Sequence, residues 1–294
     1  MTDPINYPVL AHVQRWPDHL ERPVLVVCLE GWIDAGLGGA AAMSALLAAM
    51  PTEVVATFDS DMLLDYRARR PVMRIENGVN TGLTWPEATL RWGTTASGRS
   101  VLALLGPEPD MRWQQFTTEV VAMAQQLHVE LAVGLGAFPA PVPHTRPLRL
   151  AATATTPELA GQVGFLPATI EVPAGIHGAL ERGFADAGIP ALGIWARVPH
   201  YVAAMPYPAA SAALLDKLAE LAGLEIDTTA LHHAEENTRT QIDQLIANSQ
   251  EHTAMVHQLE EQHDQGGAPI FDAGNIPSGD EIAAELERFL KEQE

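Results

Sequence analysis

Two groups of residues have the types and spacing that could do chemistry. In Glu30-Gly31-Trp32-Ile33-Asp34-Ala35-Gly36 an acid stands on each side of a Gly-Trp pair. His144, Thr145 and Arg146 sit together in a proline-rich run, with His200 and Tyr201 further along. Carboxylates, imidazoles, a phenol and a guanidinium serve general acid–base work or the holding of a charged ligand. Asp34, His144 and Ser44 are also residue types that a hydrolase uses, and only the fold decides whether they converge. No Gly-x-Ser-x-Gly elbow, Cys-x-x-Cys or His-Glu-x-x-His accompanies them, so nucleophilic and zinc hydrolysis lack a motif.

Other patterns are weighed and set aside. Gly36-Leu37-Gly38-Gly39-Ala40-Ala41 fits the Gly-x-Gly-x-x-Ala form of a dinucleotide fingerprint, and Asp59 stands where a ribose-binding acid would. In that fingerprint the first glycine follows the strand directly, whereas residues 30–35 intervene here, so close packing of a small-residue helix is the better account. No lysine-dependent phosphate loop is present, and the chain has just two lysines, Lys217 and Lys291. His232 and Glu236 lie one helical turn apart, and His252, His257 and His263 follow, which supplies pairs but not the three or four converging ligands of a metal site. Neither a metal nor a cofactor is expected. Arg67, Arg69, Arg70 and Arg74 form the one basic cluster, flanked by Asp59, Asp61, Asp65 and Glu76, which can pair with them.

The elements that must position these groups follow from periodicity. Residues 23–29 are a continuous apolar run too short for a helix, which implies a strand buried on both faces. A helix of small residues comes next, then a strand over 53–58, a unit that implies a parallel pair. A hairpin is expected over 88–105 around Ser97-Gly98. Helix follows over 112–127, strand over 129–136, strand over 148–155, a short helix over 157–161 and strand over 168–172. Helix over 179–187, strand over 191–196 and helix over 208–221 complete the alternation. That pattern predicts an α/β protein, a three-layer α/β/α sandwich, in which ligands bind in the crevice beyond the carboxyl ends of the strands. Residues 1–22 should lie across the surface. A single long helix over 230–264 has a thin apolar seam of Leu231, Thr238, Leu245 and Leu259 with Ile242 and Val256. The expected division is a core over 1–222, a helical extension over 223–265, and a linker with a short acidic helix over 266–294.

A strand ending in Glu-Gly-Trp-x-Asp-Ala-Gly before a small-residue helix resembles the proteasome assembly chaperone 2 family, in particular its actinobacterial branch. Asp65-Tyr66-Arg67-Ala68-Arg69-Arg70-Pro71, Gly136-Ala137-Phe138-Pro139-Ala140-Pro141-Val142-Pro143-His144-Thr145-Arg146-Pro147 and Val198-Pro199-His200-Tyr201-Val202 extend the resemblance over most of residues 20–265. It implies a phosphorylase/hydrolase-like fold, a non-enzymatic chaperone acting on proteasome subunits, and a homo-oligomer, with a trimer as the expected state. Some lineages of that family end in a hydrophobic-tyrosine-any residue tail. This sequence ends Phe289-Leu290-Lys291-Glu292-Gln293-Glu294, so the resemblance does not carry terminal docking over. The competing account is an enzyme or nucleotide-type binder using the crevice at Glu30, Gly31, Trp32, Asp34 and Gly36 with His144, Thr145, Arg146, His200 and Tyr201.

Composition narrows the classes further. The formal net charge is −20, concentrated toward the end: residues 1–222 hold 21 acids and 14 bases, residues 223–294 hold 16 and 3. Such charge argues against a nucleic-acid backbone or an anionic membrane as partner. Cys28, the lone cysteine, falls inside the first buried strand and reads as a core residue. No apolar run reaches membrane length and no leader pattern opens the chain, so a cytoplasmic protein is expected.

Overall fold

The run Val24–Leu29 is buried throughout, as a β-branched apolar strand must be when helices cover both faces. A computed structural model describes residues 10–31, 33–165 and 168–265, so Trp32 and the acidic helix expected within 266–294 lie outside the described residues. In chain order its main elements are β1 (Ala11–Val13), β2 (Val24–Glu30), α1 (Gly38–Ala48), β3 (Thr52–Phe58), α2 (Ser60–Leu63), β4 (Val72–Glu76), β5 (Val79–Thr84), β6 (Thr89–Thr94), β7 (Ser100–Pro107) and α3 (Trp113–Gln126). There follow β8 (Leu131–Ala140), β9 (Leu150–Ala154), α4 (Pro157–Val163), α5 (Ile176–Asp186), β10 (Ala191–Pro199), α6 (Pro208–Ala222), α7 (Thr229–Ala247) and α8 (Gln250–Asp264).

Eight strands make one mixed sheet in the order β1-β3-β6-β7-β2-β8-β10-β9. The central four, β7-β2-β8-β10, are parallel, and antiparallel strands flank them on both sides. Alternate side chains of β2 feed two cores. Val24, Val26 and Cys28 meet α1, α6 and Ile242 of α7 on one face, while Leu25, Val27 and Leu29 meet α3 and α5 on the other. The fold is therefore the expected three-layer α/β/α sandwich. Each fully buried Leu or Val contributes roughly 1.5–3 kcal/mol to it.

Several expectations need correction. Strands β2 and β3 run in the same sense but are not neighbours, because β7 and the hairpin strand β6 lie between them. Residues 10–13 do not merely cross the surface: β1 forms an edge strand on β3, and the carboxylate of Glu119 on α3 accepts the amides of Leu10 and Ala11 at 3.2 and 3.0 Å. Residues 168–172 form no strand despite their β-prone composition; the exposed edge of β9 gives the Ala152 amide to the carbonyl of Gly164. The long helix is two helices, broken at Asn248, with Ser249 accepting the His252 amide to start α8. The break redirects the seam, so Ile242, Val256 and Leu259 are buried while Leu245 faces solvent.

One element stands off the body. Among the described residues β4 and β5 pair only with each other, and every residue in them is exposed, including Val72, Met73, Ile75, Val79 and Leu83. Asn77 and Gly78 form the turn, both at positive φ. Among the described residues no helix is long and apolar enough to cross a membrane.

Candidate functional site

The carboxyl ends of β2, β8 and β10 lie side by side, which puts the loops after them on one edge of the sheet. β2 pairs with β8 only from Val24–Leu131 to Val27–Gly134. Past that point the two strands separate, and the amide of Leu29 donates to Nε2 of His177 on α5 at 3.2 Å. Burial lowers the His177 pKa to about 4, which keeps the imidazole neutral and able to accept that bond. Glu108 closes the gap from the β7 side. Its Oε2 accepts the Ile176 amide at 2.8 Å, capping α5, and a Cβ on Gly31 would stand 2.5 Å from its Oε1. The crevice expected after β2 is thus lined by His177 and Glu108, two residues that no sequence pattern marked.

Glu30 ends β2 at the surface, and its carbonyl accepts the Glu108 amide at 2.7 Å and Arg69 Nη1 at 2.9 Å. Asp34 is spent on helix α1: Oδ1 accepts the Gly39 amide at 2.7 Å and Oδ2 the Ala40 amide at 2.9 Å. Burial pushes its pKa up, and the two amides oppose that rise. Gly36, at φ +63°, donates to the carbonyl of Ala203 and accepts from Tyr207, so the loop after β2 is tied to the loop after β10. The glycines that mimic a dinucleotide fingerprint have packing reasons. A Cβ on Gly38 would lie 2.9 Å from the Ala137 methyl and 3.0 Å from that of Ala210.

The proline-stiffened loop after β8 holds the second group. The His144 side chain is buried to 2% exposure. The Tyr201 hydroxyl oxygen accepts the His144 amide at 2.8 Å and lies 2.6 Å from Nδ1, while Nε2 is 3.0 Å from Asp243 Oδ1 on α7. One set of protons satisfies all three bonds: the phenol donates to Nδ1 and Nε2–H donates to Asp243. Burial raises the Tyr201 pKa, which keeps the phenol protonated. Arg146 forks onto Asp264 at 2.9 and 2.7 Å and reaches Glu260 at 3.0 Å, both on α8. Its hydrogen bonds lower the Asp264 pKa to about 2. The Thr145 hydroxyl also donates to Glu260, the leading cause of that carboxyl's lowered pKa.

His144, Thr145, Arg146 and Tyr201 are therefore brought together, and His200 is left exposed with its ring against Tyr201. The partners that matter, Asp243, Glu260 and Asp264, come from the helices at the end of the described chain, between 99 and 118 positions away in sequence. No local signal could have found them. Ser44 lies in α1, away from this arrangement. Among the described residues no group of three or more His, Cys, Asp and Glu side chains could hold a metal ion. His232 pairs instead with Asp216 and Glu235 on the surface. Cys28 is buried, and burial first, then Asp34 and Glu30, raises its pKa to about 12, so the thiol is inert.

These features define an α/β/α sandwich whose strand-end side chains are tied to one another and to a pair of C-terminal helices. The chain belongs to the PAC2 family, whose sequence model matches residues 28–246. A Mycobacterium tuberculosis protein of unknown function is 36% identical, with a TM-score of 0.81 over 90% of this chain and 94% of the other. A proteasome-assembly chaperone homologue from the same organism is 35% identical, with a TM-score of 0.74 over 79% of this chain and 99% of its own. The Pyrococcus furiosus archaeal proteasome activator PbaB, at 18% identity and a TM-score of 0.61 over 80% and 97% of the two chains, shares the fold. A comparison with curated proteins finds no match.

Proposed function

We propose that the protein is a non-enzymatic assembly chaperone of the proteasome-assembly type, cytoplasmic, acting through protein surfaces as a homo-oligomer, with the trimer as its form. The observation that carries this reading is the β4–β5 hairpin. Val72 is 71% and Val79 62% exposed on a two-stranded sheet separate from the main one. An isolated hairpin is marginal in water, and its apolar side chains gain most by burial against a protein partner. The 35% identity to a proteasome-assembly chaperone homologue supports the same role and gives proteasome subunits as the partner class.

The strand-end groups fit that role as a rigid face. Asp34, His144, Thr145 and Arg146 each have internal partners, which suits a fixed contact surface made with Glu30, Gly31, Gly36, His200 and Tyr201. On this reading residues 1–222 are the body and residues 223–265 the extension that braces the face. The test uses wild type and an Ile75→Ser, Val79→Ser double variant, each weighed by light scattering after size exclusion at low and high salt. Wild type should be oligomeric in both and should capture proteasome subunits from a native lysate. The variant should lose mass and capture at unchanged melting temperature. A wild-type monomer at micromolar concentration in both salts, or capture that ignores the hairpin, would overturn the proposal.

A further inference from the structure

Between the proline loop, the end of β10 and the last turn of α8 lies a small, partly open depression. Its polar lining is Arg146, Arg149, Arg197, Tyr207 and His263, and none of the lining residues is an acid. Arg197 is only 8% exposed, and its Nε is buried with no hydrogen-bond partner. A buried guanidinium N–H without a partner carries the cost of its lost hydration uncompensated. The cost is compounded here, because the Arg197 amide donates to the Arg149 carbonyl at 3.2 Å and so places a second arginine beside the first. Neither Arg149 nor Arg197 has an ion pair among the described residues, although the chain carries a net charge of −20. Burial first, and then Arg149, lowers the Arg197 pKa. From the α8 side His263 contributes a second buried, unpartnered atom, Nε2, while its Nδ1 faces Asp264 at 3.5 Å. Arg146 is already committed to Asp264 and Glu260 and acts as a wall.

We infer that this depression is an oxyanion-binding site for inorganic phosphate or for the phosphate or carboxylate end of a small metabolite. Arg197 is its buried anchor, Arg149 its second fork, and His263 closes it from α8. The guanidinium fork of Arg197 pairs with two oxygens of one anion, which supplies the partner its Nε lacks, and the depression is partly open to solvent. This inference goes beyond the chaperone reading and does not depend on it.

The experiment is thermal unfolding and titration calorimetry of the full chain with inorganic phosphate, with sodium acetate, and with sodium chloride at matched ionic strength. A ligand present at about 100 times its Kd raises the folded-to-unfolded ratio about 100-fold, a shift that a thermal scan resolves. Phosphate should raise the melting temperature beyond the chloride control. A response to phosphate alone assigns a phosphate ligand, and a response to acetate alone or to both assigns the carboxylate class. Arg197→Gln should abolish the response. Because that variant alters a buried group, Arg149→Gln, at an exposed position, is the second arm and should weaken binding at least about tenfold without lowering stability. A wild-type response no larger than chloride gives, or Arg149→Gln binding like wild type, overturns the assignment.

Discussion

Tyr201→Phe removes one oxygen and tests how the strand-end loops are held. That oxygen accepts the His144 amide at 2.8 Å and bonds Nδ1 of the same residue at 2.6 Å, and the His144 side chain is all but sealed from water. The variant keeps the ring and its packing against His144 but leaves an amide and a ring nitrogen without partners. Each unsatisfied buried group costs about 1–3 kcal/mol, so the expected loss is about 2–4 kcal/mol. For a chain of this size that lowers the melting temperature by about 3–7 °C. Asp243→Ala cuts the other end of the same chain of bonds, but the Asp243 side chain is 54% exposed, so water takes the place of its oxygen at Nε2 and the expected loss is only about 0–1 kcal/mol. Chemical denaturation of both variants decides the matter. An Asp243 variant that loses as much as the Tyr201 variant would refute the reasoning, because it would place the support in the docked helix rather than in the hydroxyl.

Two further outcomes follow from the geometry. Asp264 has its pKa lowered from 3.8 to about 2 by Arg146, so its contribution is complete above about pH 4 and is lost as pH falls from about 4 toward 2. The gap in denaturant midpoint between wild type and Asp264→Asn should therefore be flat from about pH 6 to 4 and close below that; a gap unchanged at about pH 3 would contradict the assignment. Gly36→Ala should cost about 2–4 kcal/mol, since it combines a positive φ with a Cβ 2.6 Å from the Tyr207 Cβ, whereas Gly98→Ala, at φ +86° with nothing within 4 Å, should cost only about 1–2 kcal/mol. Equal losses by urea denaturation would show that the contact with Tyr207 carries no strain.

Much of the fold is legible because each parallel strand is a short apolar run between turn residues, as in β2, β8 and β10. What the sequence hides is pairing. Nothing in residues 53–58 says that two later strands will slip between β3 and β2, since adjacency depends on contacts far along the chain. The β4–β5 hairpin was not expected, although Asn77-Gly78 is a hairpin turn pair, because residues 72–84 lack the one-sided apolar alternation of a strand laid on a core. The helical stretch over 230–264 contains neither Gly nor Pro, so it read as one helix, and the break shows only in the structure, where Ser249 accepts the His252 amide. In the site, Asp34 was readable as an acid at a helix start. The bonds from His144 to Asp243 and from Arg146 to Asp264 span most of the second half of the described chain, and only folding brings those groups together.

The distance between those partners also sets an order of events during synthesis. His144 leaves the ribosome 99 residues before Asp243, and Arg146 leaves 118 residues before Asp264. At about 5–20 residues per second the proline loop waits roughly 5 to 25 seconds for its acids. Eight of the ten described strands precede His144, and β9 and β10 are made within that interval, so the sheet can assemble while its carboxyl edge still lacks its braces. The arrival of α7 and α8 then works as a latch closed last. A chain ending before residue 229 would carry all ten described strands with Arg146 unclaimed and His144 held by Tyr201 alone.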